Sequence, residues 1–177
     1  SAASDVYKRQ IKDSDSTRVY KKYDEISPYM GKAFVAIEDE RFYKHNGIDI
    51  QGIIRAGVNG VAHGFHFTEG ASTLTQQLIK NNVFPNFINE SKYQRIERKI
   101  QEQYLALKIE KEMSKEEILE AYMNTINLGQ GCLGVQTAAQ RYFNKDAKDL
   151  TLSECAVIAA ITQSPSNLNP VSSPENN

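Results

Sequence analysis

The sequence is short of most features that would assign it at a glance. Its two cysteines, Cys132 and Cys155, stand in no CxxC or metal-like spacing. That excludes a disulfide framework and a thiolate metal site, and leaves both as small buried hydrophobes. The formal net charge is -1, so no global field draws the chain onto nucleic acid, and any use of charge must be local. The longest uninterrupted apolar run, Cys155 to Ile161, is too short to span a bilayer. Alternating strand patterns are nearly missing and no repeat of fixed period is present, which points away from sheets and solenoids. No secretory pattern is visible. The sequence therefore predicts either a cytosolic chain or a piece of a longer one. The aperiodic "SAASDVYKRQ" and the Pro- and Ser-rich "SPSNLNPVSSPENN" favour the piece. Residues 1–17 are expected to be a disordered or artefactual lead, and 18–177 the folded domain.

What is present is ordinary globular chain. Apolar residues are 40% and charged residues 24%, and 177 residues suit one domain. A chain of that size buries roughly two-thirds of its unfolded surface. The pattern predicts an all-α fold. Ser27-Pro28 opens a segment with Ala33, Phe34, Ile37 and Phe42 roughly on one side. Asp49 can cap a second with Ile50, Ile53, Ile54, Val58 and Val61 on its apolar face. Thr73 with Gln76, Ser114 with Glu117 and Thr151 with Glu154 have the form of capping boxes. A long amphipathic stretch carries Tyr93, Ile96, Ile100, Tyr104 and Leu107, with charges on its other face. "CAVIAAI" has the look of a buried central helix. Gly-rich turns are expected at 57–70 and 129–134.

Three stretches can carry chemistry. In "EDERFYKHNG" (Glu38–Gly47) an apolar run delivers the chain into a dense polar cluster. If 31–45 is helical, Glu38, Phe42 and His45 share a face and Asp39 points elsewhere. A carboxylate above an aromatic ring is suited to act as a base; the plain alternative is a solvated acidic turn. In "GASTLTQQLIKN" (Gly70–Asn81) small hydroxyl residues at a helix start leave backbone N–H groups for an anion. Gln76, Gln77 and Lys80 follow, with Gln76 and Lys80 on one face. In "RKIQEQYLALKIE" (Arg98–Glu110), Arg98 and Glu102 face each other at i, i+4, which on its own reads as a solvated helical salt bridge. His63 and His66 lack a third zinc ligand. Asn124 sits in an apolar helix and needs a hydrogen-bond partner if buried.

Two carboxylates beside Lys80, Arg98, Lys99 and a helix start suit glycosyl transfer from a phosphate-linked sugar. A glycosidase has no need of cations, because its leaving alcohol needs a proton. A diphosphate leaving group is already an anion whose charge must be held. One carboxylate then serves as base for the incoming hydroxyl.

The chain resembles the peptidoglycan glycosyltransferase domain of family 51, found in class A penicillin-binding proteins and monofunctional transglycosylases. "EDERFYKHNG", "GASTLTQQLIK", "RKIQEQYLALKIE" and "KEEILEAYMNTINLG" match four of its motifs in order, and "AAQRYFNKDAKDLTLSECAVIAAI" resembles a fifth segment. The resemblance implies a lysozyme-like helical fold with a small membrane-contacting jaw at about 48–70. It implies lipid II and the nascent glycan chain as substrates, joined by a β-1,4 bond with inversion at the extracytoplasmic face of the bacterial membrane. Glu38 would be the general base and Glu102 would organise the donor site. Lys80, Arg98 and Lys99 would hold the diphosphate. Asp39, His45, Ser72, Thr73, Gln76, Gln77 and Asn124 would support binding. The resemblance allows a divalent ion, Mg or Mn, at the diphosphate, and no organic cofactor. A transpeptidase domain or other cell-wall partners would belong to the parent protein. "NNVFPNFINESKYQRIE" is longer than the family's usual connection, so Arg95 and Arg98 both remain open as the diphosphate arginine. The competing expectations are a lysozyme-like hydrolase and a catalytically silent, membrane- or protein-binding helical module.

Overall fold

The computed structural model describes residues 19–62, 71–84 and 90–163, with the backbone alone for 60–62. Among these the α-helices are α1 Pro28–Glu38, α2 Ile50–Ala62, α3 Leu74–Val83, α4 Lys92–Glu112, α5 Lys115–Thr125, α6 Val135–Phe143 and α7 Leu152–Ile161. Short 3-10 turns stand at Tyr23–Glu25 and Ala147–Asp149. The described residues hold no strand, only an isolated antiparallel bridge between Asn127 and Leu133. The fold is all-α, as the sequence predicts.

The chain divides into two compact units, residues 41–111 forming one and the segments on either side the other. In the flanking unit α1 packs along α7, and α5, α6 and α7 complete the core. Met30, Phe34, Ile118, Leu119, Tyr122, Met123, Ile158 and Ile161 are buried there. The Phe34 and Tyr122 rings meet edge to face, 5.2 Å between centroids. The "CAVIAAI" helix is central: Cys155, Ile158, Ala159 and Ile161 are all buried. Both thiols are free and buried, and burial pushes both up from their ordinary value.

Helix starts are set locally. All three expected capping boxes form, at Thr73/Gln76, Ser114/Glu117 and Thr151/Glu154. Asp49 caps α2, its Oδ1 accepting from the Gly52 N–H at 2.9 Å. Arg41 Nε donates to both Asp49 oxygens at 3.1 Å, and that guanidinium holds the Asp49 carboxyl below its usual range.

Three expectations need correcting. The helix does not run over 31–45. It stops at Glu38, and Asp39 leaves helical space at φ -160° and ψ 69°. Glu38, Asp39 and Glu40 would stack three negative charges on a helix C-terminus that is already negative. Glu38, Phe42 and His45 therefore share no helical face. Second, the expected turn from 57 is helix up to Ala62, and the remainder, with His63, His66 and Gly70, lies outside the described residues. A Cβ at Gly57 would meet nothing within 4 Å, so this glycine serves no close packing. A solvated helix tolerates it at a cost of about 1 kcal/mol relative to Ala.

The third correction concerns α4. The helix is amphipathic, but it turns Arg98 and Glu102 inward with Ala106, while Lys92, Arg95, Glu97 and Lys108 stay exposed. Tyr93, Ile96, Ile100, Tyr104 and Leu107 are exposed. This apolar stripe extends over about 21 Å of helix. The exposed side of α2 carries Ile50, Ile53, Ile54 and Val58. The 41–111 unit thus shows apolar faces on two of its helices.

Candidate active site

In the flanking unit, Glu38 is the last residue of α1 and is partly exposed. Its Oε1 accepts from Gln163 Nε2 at 2.8 Å and from the Thr162 hydroxyl, both at the C-terminal end of α7. The Glu38 charge, after burial itself, helps push the Tyr122 phenol well above its ordinary value. A carboxylate held by two donors from the end of α7 is no solvated acidic turn. Asp39, the C-cap of α1, is buried. Asn124 is also buried and satisfied as expected. It donates to the carbonyls of Lys21 and Glu120, and its Oδ1 accepts from the Lys21 N–H at 2.8 Å. Asn124 therefore clamps the segment before α1 onto α5.

In the 41–111 unit the charges gather around Glu102, which is 0% exposed. Arg98 Nη1 donates to Glu102 Oε1, and Lys99 Nζ stands 2.9 Å from Oε2. That second contact is ionic, because Oε2 receives no aligned hydrogen bond. The Arg98–Glu102 pair is therefore a buried one, contrary to the solvated bridge its spacing suggests. A buried charge of this kind is tolerated only when closely paired. Lys99 Nζ also donates to Ser72 Oγ at 2.9 Å, which ties α4 to the approach of α3.

The α3 start itself is more occupied than the sequence suggests. The Thr73 N–H donates to Gln76 Oε1 at 2.9 Å, and the Gln76 N–H to Thr73 Oγ1 at 3.2 Å. Two of the orphan donors expected for an anion are thereby satisfied inside the protein. The Thr73 hydroxyl donates to the Gly47 carbonyl at 2.8 Å. Gly47 adopts φ +94°, and a Cβ there would lie 2.7 Å from the Ala106 carbonyl oxygen, so only glycine fits where this loop meets α4. The final Gly of "EDERFYKHNG" is thus a packing requirement. His45 braces the same turn, its Nδ1 accepting from the Gly47 N–H at 3.1 Å and its ring standing 6.1 Å from that of Phe42. Gln77 and Lys80 are partly exposed on α3.

Glu90, Thr162 and Gln163 escaped the sequence reading. Glu90 binds Arg98 in a bidentate pair, with Arg98 Nε at 2.7 Å, and takes Arg95 Nε at 3.4 Å. Arg98 holds the Glu90 carboxyl below its usual range, and Glu90 foremost, with Glu102, raises Arg98. The two arginines differ in access: the Arg98 side chain is 9% exposed, the Arg95 side chain 66%. No local spacing announces these partners. Glu90 lies eight positions before Arg98 and outside α4, and Thr162 is 124 positions from Glu38.

Among the described residues no group of three or more His, Cys, Asp or Glu side chains could hold an ion. The Glu102 oxygens are already met by Arg98 and Lys99. These residues form no protein-ligated metal site.

The sequence matches the family described as transglycosylase over residues 5–177. The chain belongs to the transglycosylase family. Among its relatives are the penicillin-binding proteins 1A of three bacteria. The Clostridium botulinum protein is 48% identical over 163 residues, 90% of this chain and 19% of that protein. The Clostridium acetobutylicum protein is 54% identical over 148 residues, 81% of this chain and 18% of that protein. The Escherichia coli protein is 45% identical over 157 residues, 89% of this chain and 18% of that protein. This transglycosylase spans about a fifth of the length of the curated relatives it matches. It is a glycosyltransferase by family, and its all-α architecture is the one that the resemblance implies.

Proposed function

We propose that this transglycosylase is a peptidoglycan glycosyltransferase that polymerises lipid II into β-1,4-linked glycan. One observation carries the reading: a fully buried carboxylate, Glu102, gathers Arg98 and Lys99 beside Ser72 at the approach to α3. Preorganised cations of this kind suit an anionic leaving group, whereas a hydrolase of similar fold needs an acid for a departing alcohol. In the proposed step Glu38 takes the proton of the acceptor 4-hydroxyl, and that oxygen bonds to the donor sugar's anomeric carbon from the opposite face. The bond to the diphosphate breaks, and its electron pair leaves with undecaprenyl diphosphate. Lys80 and Lys99 meet the departing charge, with Arg95 as the accessible arginine. Arg98, bound between Glu90 and Glu102, acts by holding Glu102 in place. A Mg or Mn ion at the diphosphate would add positive charge against the leaving group, and no carboxylate or histidine cluster among the described residues would hold it.

The site of action is the extracytoplasmic membrane surface, where lipid II and the nascent chain are found. A transpeptidase domain or cell-wall partners would belong to a longer parent protein, a reading supported by the span of only about a fifth of the relatives' length. No helix among the described residues is long and apolar enough to cross a membrane. Support for surface contact comes from the exposed faces of α2 and α4. Ile50 is 67% exposed and Val58 62%, values unusual for such residues in a run. The domain is expected to float with lipid II-containing anionic vesicles. Ile53→Glu with Ile54→Glu should weaken flotation while far-UV helicity stays intact, since both side chains are exposed. Unchanged flotation would remove the jaw from the account.

Incubation of the domain with lipid II tests the activity. A transferase yields glycan polymer, a hydrolase yields cleaved sugar, and a silent binding module yields neither.

A further inference from the structure

We propose that Thr162 and Gln163 are positioning residues for Glu38, and that the Thr162 hydroxyl turns to follow the proton Glu38 accepts. The inference rests on the reading of Glu38 as the base. Because α1 packs along α7, the last residue of one helix meets the residues that close the other. Thr162 and Gln163 both donate to the same oxygen, Oε1, the amide at 2.8 Å. Two donors on one oxygen fix the plane of the carboxylate as well as its position.

The Thr162 hydroxyl has a second neighbour, the Ala159 carbonyl oxygen at 2.7 Å. A hydroxyl has one proton to give and lone pairs to receive. While Glu38 is ionised, that proton belongs on Oε1. Once Glu38 has taken the acceptor's proton, the hydroxyl can rotate to donate to Ala159 and accept from the carboxylic acid. Both protonation states then keep a partner in a part-buried place where a missing one is costly. A valine of the same shape serves neither state, and a serine serves both. The Tyr122 phenol of α5, raised first by its own burial, also feels the charge of this carboxylate. Asp39 follows Glu38 in the chain.

The test measures initial rates of lipid II polymerisation against pH for the chain as it stands. The variants are Thr162→Val, Thr162→Ser, Gln163→Ala and, for reference, Glu38→Gln. Thr162→Val should lower kcat by roughly 10- to 100-fold, the scale of a lost hydrogen bond to a charged group, with KM within about two-fold. Its acid limb should move to higher pH, because a donor to the ionised form is gone. Thr162→Ser should restore both rate and limb. Gln163→Ala should move the limb in the same direction with a smaller loss of rate. Its side chain is exposed, so it decides the matter even if the valine variant folds poorly. Unmoved limbs and parent rates in Thr162→Val and Gln163→Ala, with Glu38→Gln inactive, would overturn the proposal and leave the base in place. Equal losses in Val and Ser without a limb shift would make Thr162 merely structural and overturn it too. Parent activity in Glu38→Gln would overturn both readings.

Discussion

Glu38→Gln should lower the initial rate of lipid II polymerisation by at least roughly 10²–10⁴, the range that general-base catalysis contributes. Glutamine keeps the size of the side chain and can still face Thr162 and Gln163, but it cannot take a proton. Donor binding should survive, because the diphosphate is assigned to residues of the 41–111 unit. The neighbouring Asp39→Asn should cost less than Glu38→Gln. Asp39 is buried at the end of α1, so its loss should fall on the melting temperature more than on the rate. Initial rates for both variants, beside binding of a donor-site ligand, check the expectation. Equal small losses would return Glu38 to an ordinary acidic turn.

Lys80→Ala should cost on the order of 10²–10³ in rate, the usual scale for removing one electrostatic donor to developing charge. Lys80 is partly exposed in the last turn of α3, and alanine is the strongest helix former, so the helix itself should stand. The melting temperature should therefore stay close to that of the parent. The loss should appear in kcat and in kcat/KM alike if the lysine meets charge that grows in the transition state. A variant that polymerises at nearly the parent rate would remove Lys80 from the leaving-group site.

The three capping boxes and the Asp49 cap were legible because they are i, i+3 chemistry, written wholly in neighbouring residues. The buried "CAVIAAI" helix was legible for a similar reason: a run apolar on every side has nowhere to go but the core. Periodicity failed where it had to choose a side. It found the α4 stripe of Tyr93, Ile96, Ile100, Tyr104 and Leu107, but it could not say that Arg98 and Glu102 would take the inside. That choice depends on Glu90 and Lys99, which give each member of the buried pair a second partner of opposite charge. It failed again at Glu38, where the apolar spacing continues to Phe42 and the helix does not. The partners of Glu38 lie more than a hundred residues away, so only the packing of α1 on α7 reveals them.

The central claim is tested most directly by running the reaction in ¹⁸O-labelled water and counting two products in one sample, undecaprenyl diphosphate released and β-1,4 linkages formed. Transfer to a sugar hydroxyl predicts equal amounts of the two and no ¹⁸O at the anomeric carbons within the chain. Sugar released with ¹⁸O at its anomeric carbon, in place of new linkages, would show water as the acceptor and contradict the account.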